Sequence, residues 1–199
     1  MPDPALAAAP YARYRTEVRE EWIDYNGHLH DAGYAIVLSE ANEAVLAHLG
    51  LSEDYQAETG RAMYTVESHI RYLAEARGGD VIEAESLLVS ADAKRMRVHT
   101  LLRRGDGVPV ATGEYFYLHV DQAAGEVTAM PPDRWLAVDA LLSAHASAPA
   151  AWPSPRRPPG RRAGRSIRRW RPVPRRRGAA ACAAASAWRR RSPAGSRPR

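Results

Sequence analysis

The sequence predicts an α+β fold, one curved antiparallel sheet wrapped round a single long helix, over residues 11–146 of a 199-residue chain. Two patterns predict it. Tyr34, Val37, Leu38, Ala41, Val45 and Leu49 recur at steps of three and four, the period of a helix with one buried stripe. Four runs of strand character then follow, separated by short Gly- or Asp-bearing turns, as in antiparallel hairpins. The broad apolar side of the helix needs a cover, and a bent sheet supplies one. The length suits one domain with a real core and is short for two.

In chain order, residues 1–10 are Ala- and Pro-rich and read as a frayed end. Residues 11–22 alternate aromatic or apolar with charged side chains (Tyr14, Thr16, Val18), which suggests a first strand. Asp24-Tyr25-Asn26-Gly27-His28 reads as a turn, because Asn and Gly tolerate unusual backbone angles and Asp bonds to nearby amides. Asp31 is the expected N-cap of the helix, and Gly50 its stop. The later strands are expected at 62–72, 80–90, 95–104 and 110–120, and a short final helix at 133–145, after Pro131-Pro132.

The net charge of +5 hides two regions. From residue 151 onward there are 16 Arg, no Lys and no acidic residue, which leaves 12 basic against 23 acidic residues before it. The patterned part is therefore acidic, and the basic tail gives no evidence of a nucleic-acid ligand for the domain. Residues 151–199 are rich in Arg, Pro and Ala, build no core and are expected to be disordered. They read either as a tail for an acidic partner or as the product of a shifted GC-rich reading frame, with the second favoured. No leader-like or membrane-spanning run is present, so the expected location is the cytoplasm. The lone Cys182 makes neither an intramolecular disulfide nor a cysteine metal site.

Trp22-Ile23-Asp24-Tyr25-Asn26-Gly27-His28-Leu29-His30-Asp31, the apolar helix, and Tyr64-Thr65-Val66-Glu67-Ser68-His69-Ile70-Arg71-Tyr72-Leu73 together resemble the hot-dog thioesterases of the 4-hydroxybenzoyl-CoA thioesterase type. Within them the closest likeness is to the carnitine-catabolism branch, betainyl-CoA thioesterases that also occur fused to L-carnitine dehydrogenase. The resemblance implies a hot-dog thioesterase domain over 11–146, an acyl-CoA substrate, sites formed between protomers of a homodimer or homotetramer, and a possible association with L-carnitine dehydrogenase. An acyl-ACP or aromatic acyl-CoA thioesterase of the same fold, or a non-catalytic acyl-CoA-binding protein, remains the alternative.

Thioester hydrolysis needs a nucleophile or base at the carbonyl and donors for the oxygen that becomes negative. The family pattern puts its carboxylate three residues before the turn glycine, which here is Asp24 before Gly27. Amides of Gly27 to Leu29, near the helix N-terminus, are expected to receive the thioester oxygen. Asn26 and His28 are candidates to hold the loop or orient Asp24 and water. For a cationic acyl group, Trp22, Tyr25, Tyr64 and Tyr72 are candidate ring walls, with Glu67 as a carboxylate on the strand face opposite Val66, Ile70 and Tyr72. Lys94, Arg95 and Arg97 are candidates for the CoA phosphates. No phosphate-cradling glycine loop, serine-nucleophile elbow or metal-ligand spacing is present, so no cofactor or metal is implied.

Overall fold

The computed structural model describes residues 11–146; the expectations for residues 1–10 and for 151–199 lie outside the described residues. The α+β architecture is as expected. The chain runs β1 (Tyr11–Glu17), α1 (Asp31–His48), α2 (Glu53–Thr59), β2 (Arg61–Tyr72), β3 (Val81–Asp92), β4 (Arg95–Arg104), β5 (Pro109–Asp121), β6 (Glu126–Val127) and α3 (Pro132–His145). The strands form one antiparallel sheet in the order β1-β3-β4-β5-β2, with the short β6 added to β5.

The helix lies where its pattern requires. Val37, Leu38, Ala41 and Val45 are at most 1 % exposed, and α1 touches β1, β3, β4 and β5. Close approach depends on Gly113 in β5, where an added Cβ would stand 2.9 Å from Leu38 Cδ1. The one polar residue of this face, Asn42, accepts a hydrogen bond from Thr100 Oγ1 at 2.9 Å, and Thr100 meets Ser86 Oγ at 2.9 Å. A buried acceptor is thereby satisfied inside the apolar layer.

Three local expectations are corrected. The first strand ends at Glu17, not at Trp22. Residues Glu20–Trp22 close one 3-10 turn, with Trp22 N–H donating to Arg19 O at 3.0 Å, and this drives the Trp22 ring into the core. The helix N-cap is His30, whose Nδ1 accepts from Gly33 N–H at 2.9 Å, while the Asp31 carboxylate takes the adjacent Ala32 amide at 2.8 Å. An unexpected helix, α2, fills the gap before β2. Ser52 before it and the left-handed Gly60 after it are start and stop signals, but with Tyr55 its only buried residue the element shows no periodicity to read.

The helix α3 lies against β3. Among the described residues the pairing of β1 with β3 extends to Ser86, and beyond it His145 Nδ1 accepts the Leu88 N–H at 2.8 Å. A buried imidazole thus satisfies a backbone amide that no described strand pairs. At the other margin of the sheet, no described strand pairs the outer edge of β2, and Thr65 to His69 are exposed there.

Candidate active site

The loop between Trp22 and α1 is held by its own backbone. Ile23 and Leu29 form an isolated antiparallel bridge, Asp24 N–H donates to His28 O at 2.8 Å, and Gly27 N–H donates to Asp24 O at 3.0 Å. Gly27 has φ +78°, a conformation that a side chain would resist. Two further bonds dock the loop, from Leu29 N–H to Ala76 O at 2.8 Å and from His30 N–H to Trp22 O at 3.0 Å.

Inside this turn Asp24 Oδ1 accepts the amides of Asn26 at 2.8 Å and His28 at 3.2 Å, and Oδ2 accepts Asn26 Nδ2 at 3.3 Å. These donors, the His28 amide foremost, hold the carboxyl below its ordinary 3.8, so that Asp24 is an anion at neutral pH. Oδ2, with the single longer contact, is the freer oxygen. The expected oxyanion amides are not available: those of Gly27, His28 and Leu29 all bond within the fold. Asp31 is the first residue of α1, where a backbone N–H has no partner within the helix.

Beside the loop lies a cavity of about 340 Å³. Its walls are His28 and Leu29, the first turn of α1 (Asp31, Tyr34), and the chain from Tyr72 to Glu75. His28 Nε2 is 3.1 Å from Glu75 Oε2, and a ring nitrogen facing a carboxylate carries the hydrogen. Tyr34 OH donates to Ala74 O at 3.0 Å and accepts from Ala76 N–H at 3.1 Å. Its ring meets that of Tyr72 edge to face, with centroids 5.4 Å apart.

A family model described as "Thioesterase-like superfamily" matches residues 18–142. The chain belongs to this superfamily. Among its relatives, an Agrobacterium fabrum protein named L-carnitine dehydrogenase/betainyl-CoA thioesterase is 44 % identical over 132 residues, 66 % of this chain. The chain spans 27 % of that relative's length. A Pseudomonas aeruginosa betainyl-CoA thioesterase is 36 % identical over 137 residues, covering 68 % of this chain and 86 % of its own. A Staphylococcus aureus protein solved in complex with CoA superposes with a TM-score of 0.66 at 26 % identity, over 73 % of this chain and 91 % of that one.

In this thioesterase-like domain the remaining expected site residues lie apart. Trp22 is buried, with the Arg19 guanidinium 4.5 Å from its ring centroid, so a cation already occupies that face. Tyr25 is 97 % exposed at the loop tip. Tyr64 lies eight residues from Tyr72 along β2, about 26 Å at the strand rise, and its hydroxyl accepts from Gln122 Nε2 at 2.9 Å. Glu67 follows a bulge at Val66 and sits opposite Phe116. The bulge takes Val66 out of the alternation, so Ile70 and Tyr72 keep the helix side and Glu67 the outer side.

Lys94, Arg95 and Arg97 belong to the turn and strand at the far end of β3, eleven residues from Val81, or about 36 Å, whereas Val81 pairs with Glu17 near the loop. Arg95 Nε donates to Asp92 at 2.7 Å, and Arg97 forms a short ion pair with Glu114 while lying over the Phe116 ring. Both guanidiniums are thus engaged within the chain. Of the expected aromatic walls only Tyr72 borders the cavity. Tyr34, Asp31 and Glu75, which sequence reasoning did not single out as site residues, line it as well. The helix period marks Tyr34 only as core, and nothing in the segment after β2 distinguishes Glu75. Among the described residues no helix is long and apolar enough to cross a membrane, and no group of His, Cys, Asp and Glu is arranged to hold a metal ion.

Proposed function

We propose that the protein is an acyl-CoA thioesterase that releases CoA from a small cationic acyl group, betainyl-CoA by the names of its relatives, with Asp24 as the catalytic carboxylate. The observation that carries the reading is the Asp24 anion, fixed by two amides through Oδ1 with Oδ2 freer, beside a cavity in a thioesterase-like domain. Attack of Oδ2 on the thioester carbonyl carbon forms an acyl-aspartyl anhydride and expels the CoA thiolate, and water then cleaves the anhydride. Alternatively, Oδ2 takes the proton of a water that attacks the carbonyl itself. Both routes give free acid and CoA. The developing oxyanion goes to the Asp31 amide, at the positive end of α1. His28 and Asn26 hold the loop around Asp24.

The CoA moiety is supported by the CoA-bound structural relative, and Lys94, Arg95 and Arg97 act on its phosphates only when a neighbouring protomer brings them to the loop. The open outer edge of β2 favours a second copy as its cover, giving a homodimer or a homotetramer of the 21.9 kDa chain. The fused relatives support association with an L-carnitine dehydrogenase, in the cytoplasm. The 11–146 segment is the catalytic domain. The test is a panel of acyl-CoA esters followed by free-thiol release: betainyl-CoA is turned over fastest. Turnover of neutral or aromatic chains alone refutes the substrate, and no turnover of any ester refutes the enzyme.

A further inference from the structure

We infer that the cavity between α1 and the end of β2 is the quaternary-ammonium site of this enzyme, with Tyr72 and Tyr34 as its aromatic walls and Glu75 and Asp31 as its counter-charges. The inference rests on the acyl-CoA thioesterase reading and specifies how its substrate is selected.

Covalent distance makes the first argument. In a betainyl thioester only one methylene separates the trimethylammonium from the carbonyl carbon, so the cation site has to adjoin the attacking carboxylate. Asp24 Oδ1 accepts the His28 amide at 3.2 Å, and His28 lines the cavity. Tyr64, remote along β2, and Glu67, on the outer face of the sheet, fail this requirement.

The chemistry of the walls makes the second. A trimethylammonium donates no hydrogen bond, and it is held by ring faces and by negative charge. The Tyr34 hydroxyl is tied to Ala74 O and Ala76 N–H, and its largely buried ring lines the cavity. Tyr72 stands across it edge to face and is 52 % exposed, which leaves ring surface for a ligand.

Charge makes the third. Asp31 and Glu75 contribute two carboxylates. His28 Nε2 lies 3.1 Å from Glu75 Oε2, and both acidic residues line the cavity. Arg104 reaches this end of the sheet, where its Nη1 donates to Glu75 O at 3.0 Å, but its other nitrogens bind Asp106.

The decisive experiment uses a pair of substrates equal in shape and different in charge, betainyl-CoA and 3,3-dimethylbutyryl-CoA, in which carbon replaces the ammonium nitrogen. Wild type should prefer the cationic ester. Tyr72→Leu and Glu75→Gln should each lower the preference for betainyl-CoA over the neutral ester, read as the ratio of their KM values, about tenfold, and Tyr72→Phe, which keeps the ring, should keep the wild-type ratio. Equal losses on both esters, or none on either, would overturn the assignment. Calorimetric titration with glycine betaine against 3,3-dimethylbutyrate separates this failure from that of the enzyme reading. If wild type hydrolyses neither ester but binds betaine, and Tyr72→Leu does not, the cation site stands and the thioesterase reading falls. If hydrolysis is present and neither titration nor kinetics discriminates the charge, the cation site falls and the thioesterase reading stands.

Discussion

Replacing Asp24 by Asn tests whether this carboxylate does chemistry or only shapes the turn. Asn keeps an oxygen for the two amides of Asn26 and His28 that Oδ1 now accepts, and it loses the negative charge and the contact from Asn26 Nδ2 at 3.3 Å. The turn should therefore persist, with a thermal midpoint within about 4 °C of wild type. Without a charged nucleophile or base, kcat should fall by roughly a thousandfold or more. Asp24→Ala removes all three contacts, so it should be less stable than Asp24→Asn and no more active.

The assay is thiol release from betainyl-CoA at saturating substrate, beside thermal melts of the same preparations. Chemistry predicts two variants equally inactive but unequally stable. If Asp24→Asn stays within about tenfold of wild type and activity follows stability across the two, Asp24 is a turn residue and the mechanism above is wrong. The pH profile adds a sign. The amide donors lower the folded carboxyl below 3.8, so Asp24 stays ionised down to that value, and any loss of activity from its protonation appears only as pH falls through the lower folded value.

Two further outcomes follow from the packing. Gly33→Ala would put a Cβ 2.3 Å from Leu29 Cδ1 and 3.4 Å from Trp22 Cβ. The clash costs about 1–3 kcal/mol, against about 1 kcal/mol of helix preference for Ala, so denaturant unfolding should show a net loss together with reduced kcat as Leu29 shifts the loop; a more stable, fully active variant would contradict it. Tyr55→Phe removes the hydroxyl that donates to the buried His119 Nε2 at 2.9 Å while Nδ1 serves Thr128 O at 3.0 Å. Leaving that acceptor unpaired should cost about 1–3 kcal/mol in urea unfolding, and an unchanged midpoint would show the bond to be unimportant. Burial also lowers the folded imidazoles of His119 and His99 below 6.5. The unfolded chain therefore takes up protons first as pH drops through 6.5, and stability present at pH 7.5 should decline toward pH 5.5; a flat or rising trend would contradict the burial argument.

The sequence by itself determined the layers. A 3.6-residue period in α1 and runs of strand separated by turns in β2 to β5 are local patterns, and each states which side of its element avoids water. The turn from Asp24 to His28 was also legible, because Asp bonds to nearby amides and Asn and Gly tolerate unusual backbone angles; the family resemblance, not the turn, marked Asp24 as the carboxylate. Elements too short to show a period, α2 and β6, were not legible. Nor was the early end of β1, since the alternation of charged and aromatic residues runs on through Trp22 after the backbone has turned.

Tertiary structure alone decided which residues share a wall. Tyr64, Glu67 and Tyr72 are neighbours in one motif, yet the length of β2 and the bulge at Val66 send them to different ends and faces. Tyr34 and Glu75, forty-one positions apart, meet because Leu29 N–H and the Tyr34 hydroxyl both bind the 74–76 segment. Likewise, only the fold shows that the Gly27, His28 and Leu29 amides bond within the chain. Periodicity reports the face a residue occupies, whereas a binding site is made by residues whose distance along the chain carries no information about their distance in space.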